Sequence, residues 1–169
     1  MFAASEPDDI DRFFRGLTEY AFHARLGIVD PPLVDYVSLL LVRFLRVDTA
    51  DLASVSAPAP ADVVQRMVVA RQHAAAEARE EFRQIGDTTL FWSGLYPEAI
   101  ARRPSTGDDT LIGYREAGRR AYWLAATLDV RDDDTSGSTE RVLLERLARE
   151  YDFCVEGLSE VRRAWGDAA

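Results

Sequence analysis

Residues 144–165 read LERLAREYDFCVEGLSEVRRAW, and this stretch decides the fold class. Its apolar side chains recur at alternating steps of three and four residues, at Leu144, Leu147, Tyr151, Cys154, Leu158, Val161 and Trp165. Side chains at that spacing lie along one face of an α-helix, and so continuous a face packs against other helices. The stretch therefore predicts a helix with a seam of about three heptads.

The same helical period governs the rest of the chain, and no stretch alternates as a β-strand would. A first helix is predicted from Ser5 to Gly27, and a second begins at Pro31, is capped by Asp30 and is apolar on nearly every side. A third is predicted from Asp62 to Ile85, and a fourth begins near Asp108. We expect an all-α fold, an irregular bundle of five or six helices with the second at its centre.

The chain length favours one folded domain over residues 1–169, because this length and an apolar content of 47% suffice for a single core. Residues 47–61 are rich in Ala, Ser, Pro and Asp. Such a composition buries little surface and is typical of a flexible linker. We interpret it as a linker inside the single domain.

An acidic connection precedes the last helix, from Asp129 to Ser138. Asp132, Asp134 and Ser136 have the spacing of the first half of an EF-hand calcium loop. Leu143, however, occupies the position where that loop needs a bidentate glutamate. Tight calcium binding is therefore not expected, and the connection is interpreted as a hydrated acidic loop.

Charge and composition narrow the classes of partner. The formal charge is −9, so the chain repels a phosphate backbone and nucleic acid is not an expected ligand. No apolar stretch approaches the roughly 20 residues that cross a bilayer, so no membrane association is expected. A single cysteine and the lack of a signal-peptide pattern point to a reducing cytoplasm.

Residues that usually carry catalysis or bind metals are sparse. The two histidines stand four residues from Glu19 and Glu77, but both pairs fall opposite the apolar face of their helices and should face water. Cys154 lies within the seam and is expected to be a buried structural thiol. No metal, cofactor or catalytic residue is therefore expected, although an enzyme using only carboxylates and tyrosines stays open.

One arginine suggests a ligand site. Arg71 falls in the middle of the apolar stripe of the third helix, where an unpaired guanidinium would be costly. We expect it to pair with Asp87 or Glu150, or to lie at a cleft. Arg71, Asp87 and Tyr114 would then surround a pocket between helices that binds a small ligand or anion.

The outer face of the fourth helix is a second candidate. Its inner face consists mainly of small residues, which let a neighbouring helix approach closely. The opposite face carries Ile112, Glu116, Arg119 and Trp123, spaced by four, three and four residues. Tryptophan bordered by arginine and an aliphatic residue is enriched in interface hot spots. We expect a self-association surface here, unless the chain's own helices cover both sides of this helix.

Two further patterns lie in the middle of the chain. The first is Ile85-Gly86-Asp87, Leu90-Phe91, Gly94-Leu95 and Pro97-Glu98, and the second is Tyr114, Gly118, Ala121 and Tyr122. With the closing helix, they resemble an uncharacterised group of bacterial all-helical proteins. The resemblance covers the C-terminal two thirds of the chain and, more loosely, the first two helices. It implies a helical bacterial protein but no activity.

Two hypotheses about function follow from these patterns. The leading one is a non-enzymatic helical interaction or adaptor protein that forms homo-oligomers or binds a protein partner. The alternative is a small-ligand or anion-binding module with a pocket between helices. An enclosed polar pocket would favour the second hypothesis, whereas a solid core with an exposed apolar patch would favour the first.

Overall fold

The computed structural model describes residues 7–48, 57–101, 109–128 and 135–168. These residues form eight α-helices and no β-strand. The predicted all-α fold is confirmed, but the expected count of five or six helices was too low. The chain divides into two compact units.

The first unit contains the described residues up to 48 and those from 156 onward. Helix α1 (Pro7–Glu19) continues into a π-helical turn (Tyr20–Arg25) and is followed by α2 (Pro31–Asp48). The chain turns at Gly27, whose φ of +67° suits a residue without a Cβ. The N–H of Leu33 donates a hydrogen bond to Asp30 Oδ1 over 3.3 Å. This bond confirms the predicted helix cap.

Aromatic and aliphatic side chains form the core of the first unit. Phe14, Val42 and Leu45 pack together with Leu17 and Trp165. The rings of Phe14 and Trp165 meet edge to face with centroids 5.2 Å apart. Helix α2 contributes several fully buried side chains, but its Leu39 is 58% exposed. One side of α2 therefore faces solvent.

The second unit spans residues 56–155. It contains α3 (Pro60–Ala70), α4 (Ala75–Leu95), the short α5 (Pro97–Ala101), α6 (Asp109–Thr127), α7 (Thr135–Arg149) and the start of α8 (Tyr151–Ala168). Helix α6 packs against both α4 and α7, and α3 packs against α4 and α6. Helix α6 thus has neighbouring helices on several sides.

The predicted third helix is in fact two helices. It breaks between Arg71 and Ala74, and the second part then continues through Gly86 to Leu95. A continuous third helix would place the Arg71 guanidinium in the apolar stripe of that helix, where burial of an unpaired charge is costly. Because the helix breaks, this side chain is exposed instead. Gly86 does not interrupt α4. A Cβ there would lie 2.6 Å from Tyr122 Cε1, so this glycine permits close approach of α6.

The predicted last helix also divides, at Glu150. The break is only local, because Glu150 N–H still donates to Arg146 O and Cys154 N–H to Glu150 O, over 2.8 and 3.0 Å. The heptad seam itself is confirmed from Leu144 to Val161, where every seam residue is at most 1% exposed. The seam therefore depends on burial of side chains and not on one uninterrupted helix.

The two polar connections are only partly described. Of the linker, residues 49–56 lie outside the described residues, and Ala57 is buried rather than solvated. Of the acidic connection, residues 129–134 lie outside them, whereas Ser136, Gly137 and Ser138 belong to α7. Residues already in a helix cannot wrap an ion as the corresponding EF-hand positions do.

None of the described helices combines the length and apolar content that spanning a bilayer requires. The expected single domain over residues 1–169 stays a prediction.

Candidate functional site

Helix α6 presents two chemically different faces, as its sequence predicts. Gly118, Ala121 and Ala125 are buried on the inner face. On the outer face, Ile112 is 62% exposed and Trp123 is 55% exposed. The described helices therefore leave uncovered what we call the α6 stripe, which consists of Ile112, Glu116, Arg119 and Trp123.

The charged residues of the α6 stripe are held by ion pairs. Arg119 Nη1 lies 2.7 Å from Glu116 Oε1, one turn earlier on the same helix. Its Nη2 lies 2.5 Å from Asp152 Oδ2 at the start of α8. With contacts on two elements, the Arg119 guanidinium is fixed in place between the two apolar ends of the stripe. A pre-positioned side chain loses less entropy when a partner binds.

Open grooves flank the α6 stripe on both sides. Between α6 and α7 lies a groove of about 360 Å³ whose lining includes Arg120, Trp123, Glu145 and Arg149. Between α3 and α6 lies another of about 450 Å³. Its lining includes Val64 and Val68, which are 55% and 48% exposed. Exposed apolar side chains thus lie at Trp123 in one groove and at Val64 and Val68 in the other, with Glu116 and Arg120 lining both grooves.

The charge of this surface differs from that of the whole protein. Four arginines and two glutamates line the two grooves, namely Arg71, Arg119, Arg120, Arg149, Glu116 and Glu145. The chain as a whole has a formal charge of −9. These six side chains sum to +2, so this surface attracts acidic side chains, and two copies of it can face each other favourably only where arginines meet glutamates.

Arg71 does not occupy the position that its sequence suggested. It follows the last residue of α3, and its side chain is exposed along the α3–α6 groove. The expected pairing with Asp87 or Glu150 is not found among the described residues, whereas the alternative expectation of a position at a cleft agrees with this groove. Asp87 pairs with other residues, and Glu150 pairs with Arg149 over 3.4 Å. Tyr114 is buried in the packing of α6. Ligand binding by Arg71, Asp87 and Tyr114 stays a prediction.

Asp87 lies at the centre of a buried polar network on α4. It is only 1% exposed. Arg83 Nη1 donates to Asp87 Oδ2 over 2.8 Å, and Tyr122 Oη donates to Asp87 Oδ1 over 2.8 Å. The Arg83 side chain remains 16% exposed and also donates to Glu80. The network therefore links α4 to α6 from the core to the surface.

A group of buried hydroxyls lies nearby, between α4 and the start of α8. Thr89, Ser93 and Tyr151 are all fully buried. Burial raises the pKa of the Tyr151 phenol far above its usual value, although the hydroxyls of Thr89 and Ser93 oppose that rise. The Tyr151 hydroxyl nevertheless makes no well-formed hydrogen bond within the described residues. It is a protonated, poorly satisfied polar group in the core.

Tyr122 and Tyr151 offer a matched pair of hydroxyl deletions in this core, because both are fully buried. We expect Tyr122→Phe to lower the free energy of unfolding by about 1.5–3 kcal/mol, since it removes a donor to a carboxylate. Tyr151→Phe should change it by less than about 0.5 kcal/mol, because the lost hydroxyl has no well-formed bond. Urea unfolding followed by circular dichroism measures both. Equal losses would contradict the assignment of the two hydroxyls.

Other candidate groups contribute little to a site. Cys154 is fully buried, which confirms the structural thiol. Glu19, His23 and Glu77 are exposed as predicted, whereas His73 is half-buried in the turn between α3 and α4. Within the described part of the chain, no group of three or more His, Cys, Asp or Glu side chains could hold a metal ion.

Comparison of the chain with protein-family models, with curated proteins and with solved structures found no match. The two sequence patterns in the middle of the chain lie mainly on α4 and α6. Gly86, Asp87, Gly118 and Tyr122 among them form the close contact between these helices, so packing accounts for these four residues. On α6, the described helices leave the α6 stripe and its grooves uncovered.

Proposed function

We propose that this protein is a non-enzymatic interaction protein that self-associates through the α6 stripe and the two grooves beside it. The observation that carries the proposal is Trp123, which is 55% exposed on a helix whose other face is buried. Burying an aromatic side chain of this size releases much apolar surface from water, which favours association.

The surroundings of Trp123 support the same proposal. Interface hot spots are enriched in tryptophan and arginine and are surrounded by side chains that exclude water. Here Arg119 is already fixed by Glu116 and Asp152. Val64 and Val68 add exposed apolar surface across the α3–α6 groove. A partner that covers Trp123 can therefore also cover these valines.

The experiment compares Trp123→Glu with Phe153→Glu. Phe153 on α8 is 50% exposed and lies outside both grooves, so it is a matched control for adding a charge at an exposed aromatic position. We expect the wild-type protein to be oligomeric in sedimentation velocity at tens of micromolar. Trp123→Glu should be monomeric because an interface would have to bury its charge, and Phe153→Glu should behave as wild type.

Circular dichroism of the two variants separates loss of association from loss of folding. Trp123→Glu should retain the helical content of the wild type, since the replaced side chain contributes little to the core. A wild-type protein that is monomeric across this concentration range would refute the proposal. So would an oligomer that survives Trp123→Glu unchanged.

A further inference from the structure

The α6 stripe has the same order of apolar and charged side chains when it is read from either end. Read from either end, the stripe begins with an apolar residue, passes through two opposite charges and ends with an apolar residue. Ile112 and Trp123 are equally distant from the point midway between Ala117 and Gly118. Glu116 and Arg119 are equally distant from the same point. A second copy turned end to end therefore presents complementary groups along the whole stripe.

Two-fold pairing of identical helices allows two orientations, and charge distinguishes them. Parallel pairing would place each residue opposite its own copy, so that Glu116 faces Glu116 and Arg119 faces Arg119. Like charges facing each other across an interface disfavour association. Antiparallel pairing places Glu116 opposite the partner's Arg119 and Ile112 opposite the partner's Trp123. Only the antiparallel arrangement satisfies both the charged and the apolar positions.

We infer that the partner of the α6 stripe is a second copy of this chain, bound through antiparallel α6 helices about a two-fold axis level with Ala117 and Gly118. The inference rests on the proposed function and adds the partner and its orientation. A two-fold interface uses the same patch on both copies, as this stripe requires. Because Glu116 and Arg119 already lie 2.7 Å apart within one copy, the dimer closes an alternating ring of four charges.

Gly113 supports the antiparallel arrangement. It is exposed inside α6, and a Cβ at this position would meet nothing within 4 Å. Glycine weakens a helix interior, and the packing of the described chain gives no reason for one here. In the antiparallel pair, Gly113 lies beside Ile112 under the partner's Trp123. The missing side chain leaves space for the indole ring to approach the helix backbone.

The antiparallel orientation also decides how α3 and α7, the helices beside the α6 stripe, face the second copy. Helices α3 and α7 border α6 through the two grooves on either side of the stripe. A two-fold axis perpendicular to α6 brings α3 opposite α3 of the partner subunit, and α7 opposite α7. Val64 and Val68, which are exposed on α3, would then be covered by the corresponding apolar surface of α3 in the second copy. Parallel pairing would instead set α3 against α7.

Charge reversal tests the orientation. Glu116→Arg and Arg119→Glu each create two repulsive pairs in the antiparallel dimer, and each should weaken dimerisation by about tenfold. The double variant restores attraction and should return to within about threefold of wild type. Sedimentation equilibrium measures each dimer dissociation constant. Melting temperatures of the single variants control for Asp152, which also contacts Arg119.

A distance measurement gives an independent reading of orientation. A nitroxide attached at Thr127→Cys, with the buried Cys154 replaced by Ala, lies nine to ten residues from the axis. Antiparallel helices separate the two labels by about 28 Å along the helix axis. Parallel helices would hold them about 10 Å apart, the distance between packed helix axes. Pulsed electron paramagnetic resonance measures the long distance, and line broadening in the continuous-wave spectrum reveals the short one, which would overturn the inference.

The outcomes separate the two proposals. If Trp123→Glu abolishes association but neither charge reversal weakens it, the α6 stripe is the interface and the antiparallel pairing is wrong. A double variant no better than the single variants would also overturn the antiparallel pairing. If Trp123→Glu leaves association intact, the proposed function fails first and the inference fails with it.

Discussion

Replacement of Gly118 by alanine is expected to lower the free energy of unfolding by about 3 kcal/mol. A Cβ at this position would overlap Thr89 Oγ1 and Tyr151 Oη, and would lie 2.8 Å from Tyr151 Cζ. Both neighbours are fully buried, on α4 and at the start of α8. Neither can move without disturbing the core, so three helices would have to separate slightly.

Gly113→Ala is the matched control for Gly118→Ala, because it adds the same methyl group to the same helix. Its Cβ would meet nothing within 4 Å, so the higher helix propensity of alanine should stabilise the fold by up to about 1 kcal/mol. Both substitutions belong in a Trp123→Glu background, where association does not add to the free energy. Urea unfolding measures the difference. Similar effects of the two substitutions would contradict the close packing at Gly118.

The two faces of α6 could be predicted because their chemistry differs sharply. Small residues recur on one side and Ile112 and Trp123 on the other, so a count of 100° per residue assigns them correctly. The seam from Leu144 to Val161 was equally clear, because burial preserves its pattern even where the helix bends at Glu150. Local periodicity is sufficient when one face of a helix is buried along its length.

The break after α3 could not be predicted from local signals. Residues 71–74 contain neither glycine nor proline, and the residue before α4 makes no side-chain cap. Helix α3 packs on both α4 and α6, and such tertiary context overrides local helix propensity. The buried face of α3 uses Val63 and Met67, whereas Val64 and Val68 are exposed.

The partners of Asp87 show the same limit of sequence reasoning. Arg83 stands four residues before it, and this spacing alone could have suggested the ion pair. The hydrogen bond from Tyr122 joins residues 35 positions apart and depends on how α4 meets α6. A continuous third helix would place Arg71 on its apolar face, but α3 and α4 are separate helices. Tertiary packing decided which arginine reaches the buried carboxylate.

Removal of the Asp87 carboxylate is the other substitution with a large expected effect. Asp87→Ala should lower the free energy of unfolding by about 3 kcal/mol, because it leaves Arg83 and the buried Tyr122 hydroxyl without their acceptor. The loss should fall at the lower end of the range for broken buried pairs, since Arg83 can still reach Glu80 and solvent. Thermal and urea unfolding of the monomeric Trp123→Glu protein measure it.

The double variant Arg83→Met, Asp87→Leu shows where that loss comes from. Arg83→Met alone should be at least as destabilising as Asp87→Ala, because the Asp87 carboxylate, only 1% exposed, then keeps the hydrogen bond from Tyr122 but loses the positive charge of Arg83. Removing both charges leaves no stranded ion, so the double variant should be more stable than either single variant. Loss of the hydrogen bond from Tyr122 to Asp87 should account for the remaining deficit, and adding Tyr122→Phe should reduce it. If instead the double variant loses as much as both single variants together, the two side chains are not energetically coupled. The cost of burying one charge without the other would then not be the dominant effect.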